Sequence, residues 1–355
     1  MAQTLESLRS TASRLGIFLP LTEDTSSILQ PLTLHNFALK NRAATMVSPV
    51  FDADENGAPT QATIARYVKA AQSRACGMLW SEPIAVSLEA RCDNHQLVLS
   101  DENQSAFSAL CEAIRKAASN DIILVALLDH AGRKALSPIA FEQCPLFDAK
   151  PEILEDTAIT PIVASCGIAA KNAAAANFNG VALNICDRNL FAESLAAYHR
   201  DGNFGGDFDD RSRFVRDCCT AIRLMANEAF LSLRLCLSDG LPQPYGFGMA
   251  FEDQSAPELS ESVLLIQILQ ALFDVQMVAC EVGLSDQSWL CSEEKEDAIL
   301  PTGRLCTCTA MLDSALQQNI TLLLPQSAVH NDVPFDNLAA GMISGEFASI
   351  AGYTA

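Results

Sequence analysis

A chain of 355 residues, 49% of them apolar, is long enough to bury the core of one large α/β barrel or of two ordinary domains. Its 43 acidic against 23 basic residues give a formal charge of −20, which repels phosphate backbones and anionic lipid and makes nucleic acid a poor partner. No run of 18 uninterrupted apolar residues occurs, which argues against a membrane span.

The N-terminus lacks a secretory apolar core, but Leu5, Leu8, Ala12 and Leu15 recur at helical spacing beside Arg9 and Arg14. Residues 1–27 therefore read as a helical extension that docks on the rest. A mitochondrial presequence is the alternative, with Glu6 against it. From there, apolar runs predict strands at Ala43–Ser48, Gly77–Ser81, Ile122–Leu128, Gly180–Ile185, Phe230–Leu237, Gln276–Val282, Ile320–Leu324 and Phe347–Ala351. Helices are expected over Gln61–Ser73, Glu102–Ala118, Thr157–Ala176, Asp210–Asn227, Pro257–Phe273 and Thr309–Gln318. Such alternation predicts an α/β fold, a (β/α)8 TIM barrel over residues 28–355, with an open doubly wound sheet as the alternative.

The long connections Ser137–Pro151, Asp187–Asp209, Ser238–Ala256 and Ser285–Pro301 follow strands three to six, so they belong to the face where barrel chemistry gathers. With the last strand ending by Gly352 and the sequence at Ala355, no eighth outer helix is expected. The N-terminal helix, a partner subunit or both are then the candidates to cover the seam.

Thirteen scattered cysteines form no zinc-ligand spacing, and no metal site is expected. Cys76, Cys111, Cys166, Cys186, Cys236 and Cys280 fall in predicted elements as packing residues, and Cys306-Thr-Cys308 reads as structural. Free thiols imply a reducing compartment, the cytosol. The strand Ile122–Leu128 ends abruptly in Asp129-His-Ala-Gly-Arg-Lys134, a cluster of charge and glycine at a strand end. His130 and Arg133 there either line a substrate cleft or fix the turn.

Several motifs, taken together and in order, resemble the old yellow enzyme family of FMN-dependent NAD(P)H:flavin oxidoreductases. They are Leu29-Gln-Pro-Leu-Thr-Leu-His-Asn-Phe-Ala-Leu-Lys-Asn-Arg42, Ser48-Pro49, Gly57-Ala-Pro-Thr60, the run Gly77–Val86 with Glu82, His130-Ala-Gly-Arg-Lys134, Asn203-Phe-Gly-Gly206, Arg211-Ser-Arg-Phe214 and Leu233-Arg234-Leu235. The resemblance spans roughly residues 28 to 352 and weakens after strand five. It implies FMN as cofactor and NAD(P)H as transient reductant, with Ser48, Pro49, Glu82, Leu127 and Arg234 at the cofactor positions. For Arg234, pairing with Glu82 or Glu281 is the competing role.

The same resemblance marks departures. The family's His-x-x-His or His-x-x-Asn pair after strand four corresponds to Asn184 and Asp187, and its proton-donating tyrosine to Asn189. An amide still donates, whereas an ionised aspartate only accepts and repels a developing enolate. Leu127 stands where a glutamine would bond the flavin ring. Strand seven runs into Pro325-Gln326 and strand eight into Gly352-Tyr353, without the glycine-rich backbone and arginine expected to seat the phosphate.

The substitutions favour a divergent, non-catalytic barrel acting as a structural subunit of a homo- or hetero-oligomer. The alternative is an FMN-dependent ene-reductase acting on an electron-poor alkene, and a third reading is a binding protein for another small ligand.

Overall fold

The computed structural model describes residues 4–34, 36–73, 77–118, 122–148, 150–253, 256–283, 299–316, 320–324 and 349–354. Eight parallel strands close into a barrel: β1 Ala43–Met46, β2 Met78–Ala85, β3 Ile123–Asp129, β4 Gly180–Ile185, β5 Phe230–Ser238, β6 Val275–Val282, β7 Thr321–Leu324 and β8 Ser349–Thr354. Strand β8 closes the ring against β1, with Ala351 opposite Ala43 and Thr354 opposite Met46. The closed parallel ring answers the open-sheet alternative.

Side-chain alternation along the strands divides the core in two. Ala44, Met46, Met78, Trp80, Val125, Leu127, Ala182, Phe230, Met277, Ala279 and Leu323 form one cluster inside the barrel. A hairpin of Leu32–Leu34 with Phe37–Leu39 plugs one end of it, with the Phe37 ring edge-on to Phe230. The larger cluster lies between strands and helices and includes Leu79, Leu124, Leu128, Val181, Leu183, Leu231, Leu233 and Leu235.

The helices are α1 Leu5–Leu15, α2 Gln61–Ser73, α3 Gln104–Ala117, α4 Asp156–Ala175, α5 Leu190–Leu195, α6 Phe208–Met225, α7 Ser260–Phe273 and α8 Ile299–Leu316. Helix α4 has the length and hydropathy to cross a membrane. Here it is a barrel helix, burying Ile159, Cys166, Ala169, Ala170 and Ala173 and packing closely on α6 through Gly167, where an added Cβ would lie 2.9 Å from the Ala221 carbonyl oxygen.

Three boundaries differ from the expected ones for identifiable reasons. Strand β2 continues past Ser81 because one extra residue bulges between Trp80 and Pro83, and the Ser81 hydroxyl takes the Leu127 N–H at 2.9 Å in place of a ladder carbonyl. Helix α8 begins well before Thr309, since Pro301 falls in its first turn, where proline is tolerated. Gly352 and Tyr353 lie inside β8, paired with Ala44 and Thr45, rather than beyond it. Pro325-Gln326, Cys76 and most of the Ser285–Pro301 connection fall outside the described residues.

Candidate active site at the barrel mouth

Asn184 on β4 and Arg234 on β5 are register partners, so both side chains reach the same end of the barrel interior. Arg234 donates from Nε and Nη2 to Glu281 Oε1 at 3.0 and 2.8 Å and from Nη1 to Asn184 Oδ1 at 3.3 Å. Asp187 Oδ2 lies 4.0 Å from Nη1. Of the two carboxylates proposed for Arg234, the bond is to Glu281, at the end of β6. Burial works against the charge, but Glu281 and the other neighbouring negative groups outweigh it and keep the guanidinium firmly charged.

The network continues to β3. Asn184 Nδ2 donates to Asp129 Oδ1 at 2.9 Å, and Asn189 Nδ2 donates to the same oxygen at 2.7 Å and, closely, to the Asn184 carbonyl. Asp129 is buried, which raises its pKa, while the two amide donors and Arg234 pull it back. Asn189 has a second task as N-cap of α5, its Oδ1 accepting the Ala192 N–H at 3.0 Å.

The remaining cofactor positions lie on other elements. Glu82 is turned by the β2 bulge towards α2, where Arg66 Nη2 donates to its Oε1 at 2.6 Å and Tyr67 hydroxyl donates to the same oxygen at 3.2 Å. Burial raises the Glu82 pKa and Arg66 opposes it. The Ser48 carbonyl accepts from Arg66 Nη1 at 3.0 Å, and Pro49 is exposed. Leu127 is fully buried inside the barrel.

His130 and Arg133 are built into the turn after β3. His130 Nδ1 accepts the Gly132 N–H at 3.1 Å, its carbonyl takes the Leu190 N–H at 2.9 Å, and burial pushes its pKa down to about 4. Arg133 Nε donates to Glu193 Oε1 at 2.6 Å, with both side chains buried. The Arg211 motif likewise ties loops together: Arg211 donates to the Gly206 and Leu195 carbonyls and to Glu261 on α7, its guanidinium 3.8 Å from the Tyr198 ring centre.

Sequence reading left Asp129 out of the site, although that residue joins β3 to both asparagines. Its signal was visible: an acid closing an apolar strand must find donors if it is buried. Arg188 and Asp239, a buried ion pair at 3.7 Å between the loops after β4 and β5, were missed as well, because nothing in their spacing links them. Among the described residues no group of three or more His, Cys, Asp or Glu could hold a metal ion.

A closed, all-parallel (β/α)8 barrel whose polar residues meet at the ends of β3, β4, β5 and β6 has the architecture of a barrel enzyme. The chain belongs to the NADH:flavin oxidoreductase / NADH oxidase family, whose profile matches residues 27–269. Members of that family are FMN-dependent oxidoreductases that use NAD(P)H.

An NADPH dehydrogenase of Bacillus pumilus is 30% identical over 214 residues, covering 56% of this chain and 60% of its own length. The chain thus spans less than two thirds of that relative. Among solved structures, an old yellow enzyme homologue from Zymomonas mobilis superposes with a TM-score of 0.68 at 19% identity, covering 92% of this chain and 88% of its own. A 2-naphthoyl-CoA reductase superposes with a TM-score of 0.73 at 14% identity, covering 93% of this chain and 50% of its own. At these identities the likeness is one of fold.

Proposed function

We propose that this family member is a non-catalytic barrel, its mouth occupied by an internal polar network in place of the hydride-transfer machinery. The observation that carries the reading is the bonding of Arg234. The cation that an electron-rich flavin ring would need is held at 2.8 Å by Glu281, with Asp187 beside it.

Two further positions support it. Leu127 offers no hydrogen bond at the ring edge and is packed among apolar side chains. Asn189 is occupied as the cap of α5, and an amide cannot deliver the proton that a tyrosine would. We read these positions as a poor fit for FMN.

The role that follows is that of a subunit in a homo- or hetero-oligomer, acting where thiols stay reduced. The free state of the described cysteines agrees with such a compartment. Kinship to NADPH dehydrogenases keeps one rival reading in play, an ene-reductase using Asn184 as its donor.

Absorbance of the purified protein and titration with FMN separate the two. We expect no flavin bands, no saturable quenching of FMN fluorescence at micromolar protein, and no NADPH oxidation with 2-cyclohexenone. A yellow protein that turns over this alkene sinks the proposal.

A further inference from the structure

A groove on the outer wall of the barrel lies between the loop that follows β2 and helix α4. Its floor is Val98 and Leu99, both fully buried, and its walls carry Leu88 and Ile168, which are 44% and 37% exposed. Glu89, Asp101 and Glu102 stand around it, and about 230 Å3 is free inside. The floor is firmly held: the Val98 N–H donates to the Gly57 carbonyl at 2.9 Å and the Leu99 N–H to the Ala85 carbonyl at 3.2 Å. Gly57 allows that approach, since a Cβ there would lie 2.4 Å from Val98 Cγ2.

Three acids line the groove and no base does. Lys171 on α4 donates to Asp101 Oδ1 at 2.8 Å, with both side chains exposed, and among the described residues Glu89 and Glu102 form no ion pair. Arg91, further along the loop, gives its guanidinium to the Leu88, Glu55 and Asn94 carbonyls at 3.1, 3.0 and 2.7 Å. An occupant must therefore bring positive charge to the rim and apolar surface to the floor. A second copy of this chain does not suit, because each copy carries a formal charge of −20 and like fields repel.

Size narrows the choice further. The groove is open along one side and smaller than the ~300–1,000 Å3 usual for small-molecule sites. It fits one large side chain whose backbone stays outside.

We propose that this groove docks a basic segment of a partner protein. One large apolar side chain sits on Val98 and Leu99 between Leu88 and Ile168, and flanking lysines or arginines meet Glu89 and Glu102. Apolar anchors ringed by complementary charge are the usual pattern of such contacts. The groove shares no residue with the Arg234 network, so it stands whatever the mouth binds. Flavin titration decides the one reading and peptide binding the other.

Fluorine NMR tests the proposal, using the peptide acetyl-Lys-Lys-Trp-Leu-Lys-amide with fluorotryptophan as the anchor and the full chain at about 0.15 M salt, where long-range attraction is screened. One anchor with charged flanks binds at about 0.1–1 mM. We expect a saturable shift in that range. It should vanish when the lysines are replaced by glutamates. In competition, the unlabelled peptide with alanine as anchor should bind about tenfold more weakly.

Two variants at exposed positions, each checked for its fold by circular dichroism, locate the contact. Glu89→Gln with Glu102→Gln should weaken binding about tenfold through loss of charge-assisted contacts. Ile168→Glu removes an apolar wall while adding negative charge, so docking predicts weaker binding and diffuse attraction predicts stronger. No shift at about 1 mM protein overturns the proposal. So does binding that survives either variant, and so does equally tight binding of N-acetyltryptophanamide, which would make the groove a small-molecule site.

Discussion

His130 is buried against its own turn, and the Nδ1 that accepts the Gly132 N–H must stay unprotonated to do so. Its pKa falls from 6.5 to about 4 on folding, because burial disfavours the imidazolium. Between those values the unfolded chain binds the proton and the folded one does not. Its contribution is therefore complete above pH 6.5 and is lost as pH falls towards 4, by about 3 kcal/mol in all. Asp239 works in the opposite sense: burial raises its pKa from 3.8 to about 6, so folding favours its protonated form and that term gains as pH falls through 6. The two windows overlap and partly cancel, so the wild-type acid profile alone is uninformative. The difference between wild type and His130→Asn removes the Asp239 term. The asparagine Oδ1 can still accept from Gly132, so the variant should be about 1 kcal/mol less stable at pH 7.5 and equal or more stable at pH 4.5 by urea denaturation. Parallel profiles for the two proteins would show that His130 titrates normally.

At the scale of elements, the β3 turn and helix α5 meet at backbone distance through Gly132. This glycine has φ of 59°, and a Cβ placed on it would lie 2.8 Å from the Leu190 nitrogen and 3.0 Å from its Cα. Gly132→Ala should cost about 2–4 kcal/mol, from left-handed strain and the displacement of α5. Gly16→Ala serves as the control, since Gly16 has φ of 67° but nothing within 4 Å of an added Cβ, and it should cost only about 1 kcal/mol. Equal losses in guanidinium denaturation would mean that the close approach is immaterial. The same loops show what the sequence made legible. Continuous apolar runs mark β1 to β7 because these strands are buried on both faces, and that pattern is local. The β2 bulge depends on a Ser81 hydroxyl meeting a neighbouring strand, and α5 is six residues long with its cap bonded to Asp129, so both depend on contacts distant in sequence. Asn184, Asp187 and Arg234 were legible as strand-end residues of the mouth. The bond from Arg234 to Glu281 and the pairing of Arg188 with Asp239 were not, because which carboxylate faces which guanidinium is decided by barrel register.

For the whole molecule, the open question of the seam becomes one of what the N-terminal segment covers. Helix α1 buries Leu8 and Ala12, leaves Leu15 38% exposed, and ends at Gly16, from which the chain turns so that Ile17 packs on α8. The fit there is close: a Cβ at Gly303 would lie 1.9 Å from Ile17 Cγ2, so α8 carries glycine where the segment docks. Arg9 fastens the far side by donating to the Leu21 carbonyl at 2.9 Å. Of the face expected as Leu5, Leu8, Ala12 and Leu15, Leu8 and Ala12 are buried, and the docking continues at Ile17, two residues beyond Leu15 and past the end of the helix. Burying Leu8 is worth about 1.5–3 kcal/mol and the half-buried Ile17 adds less, and ordering the segment offsets part of that gain. Deleting residues 1–20 should therefore lower the melting temperature by a few degrees, at about 2–4 °C per kcal/mol, and expose apolar surface on α8 that promotes association. Leu8→Asp in the full chain should give a smaller fall of the same kind, since it undocks the helix without shortening the protein. If the shortened protein melts unchanged and stays monomeric by light scattering, the segment contributes nothing to the barrel, and its amphipathic face must serve a different surface.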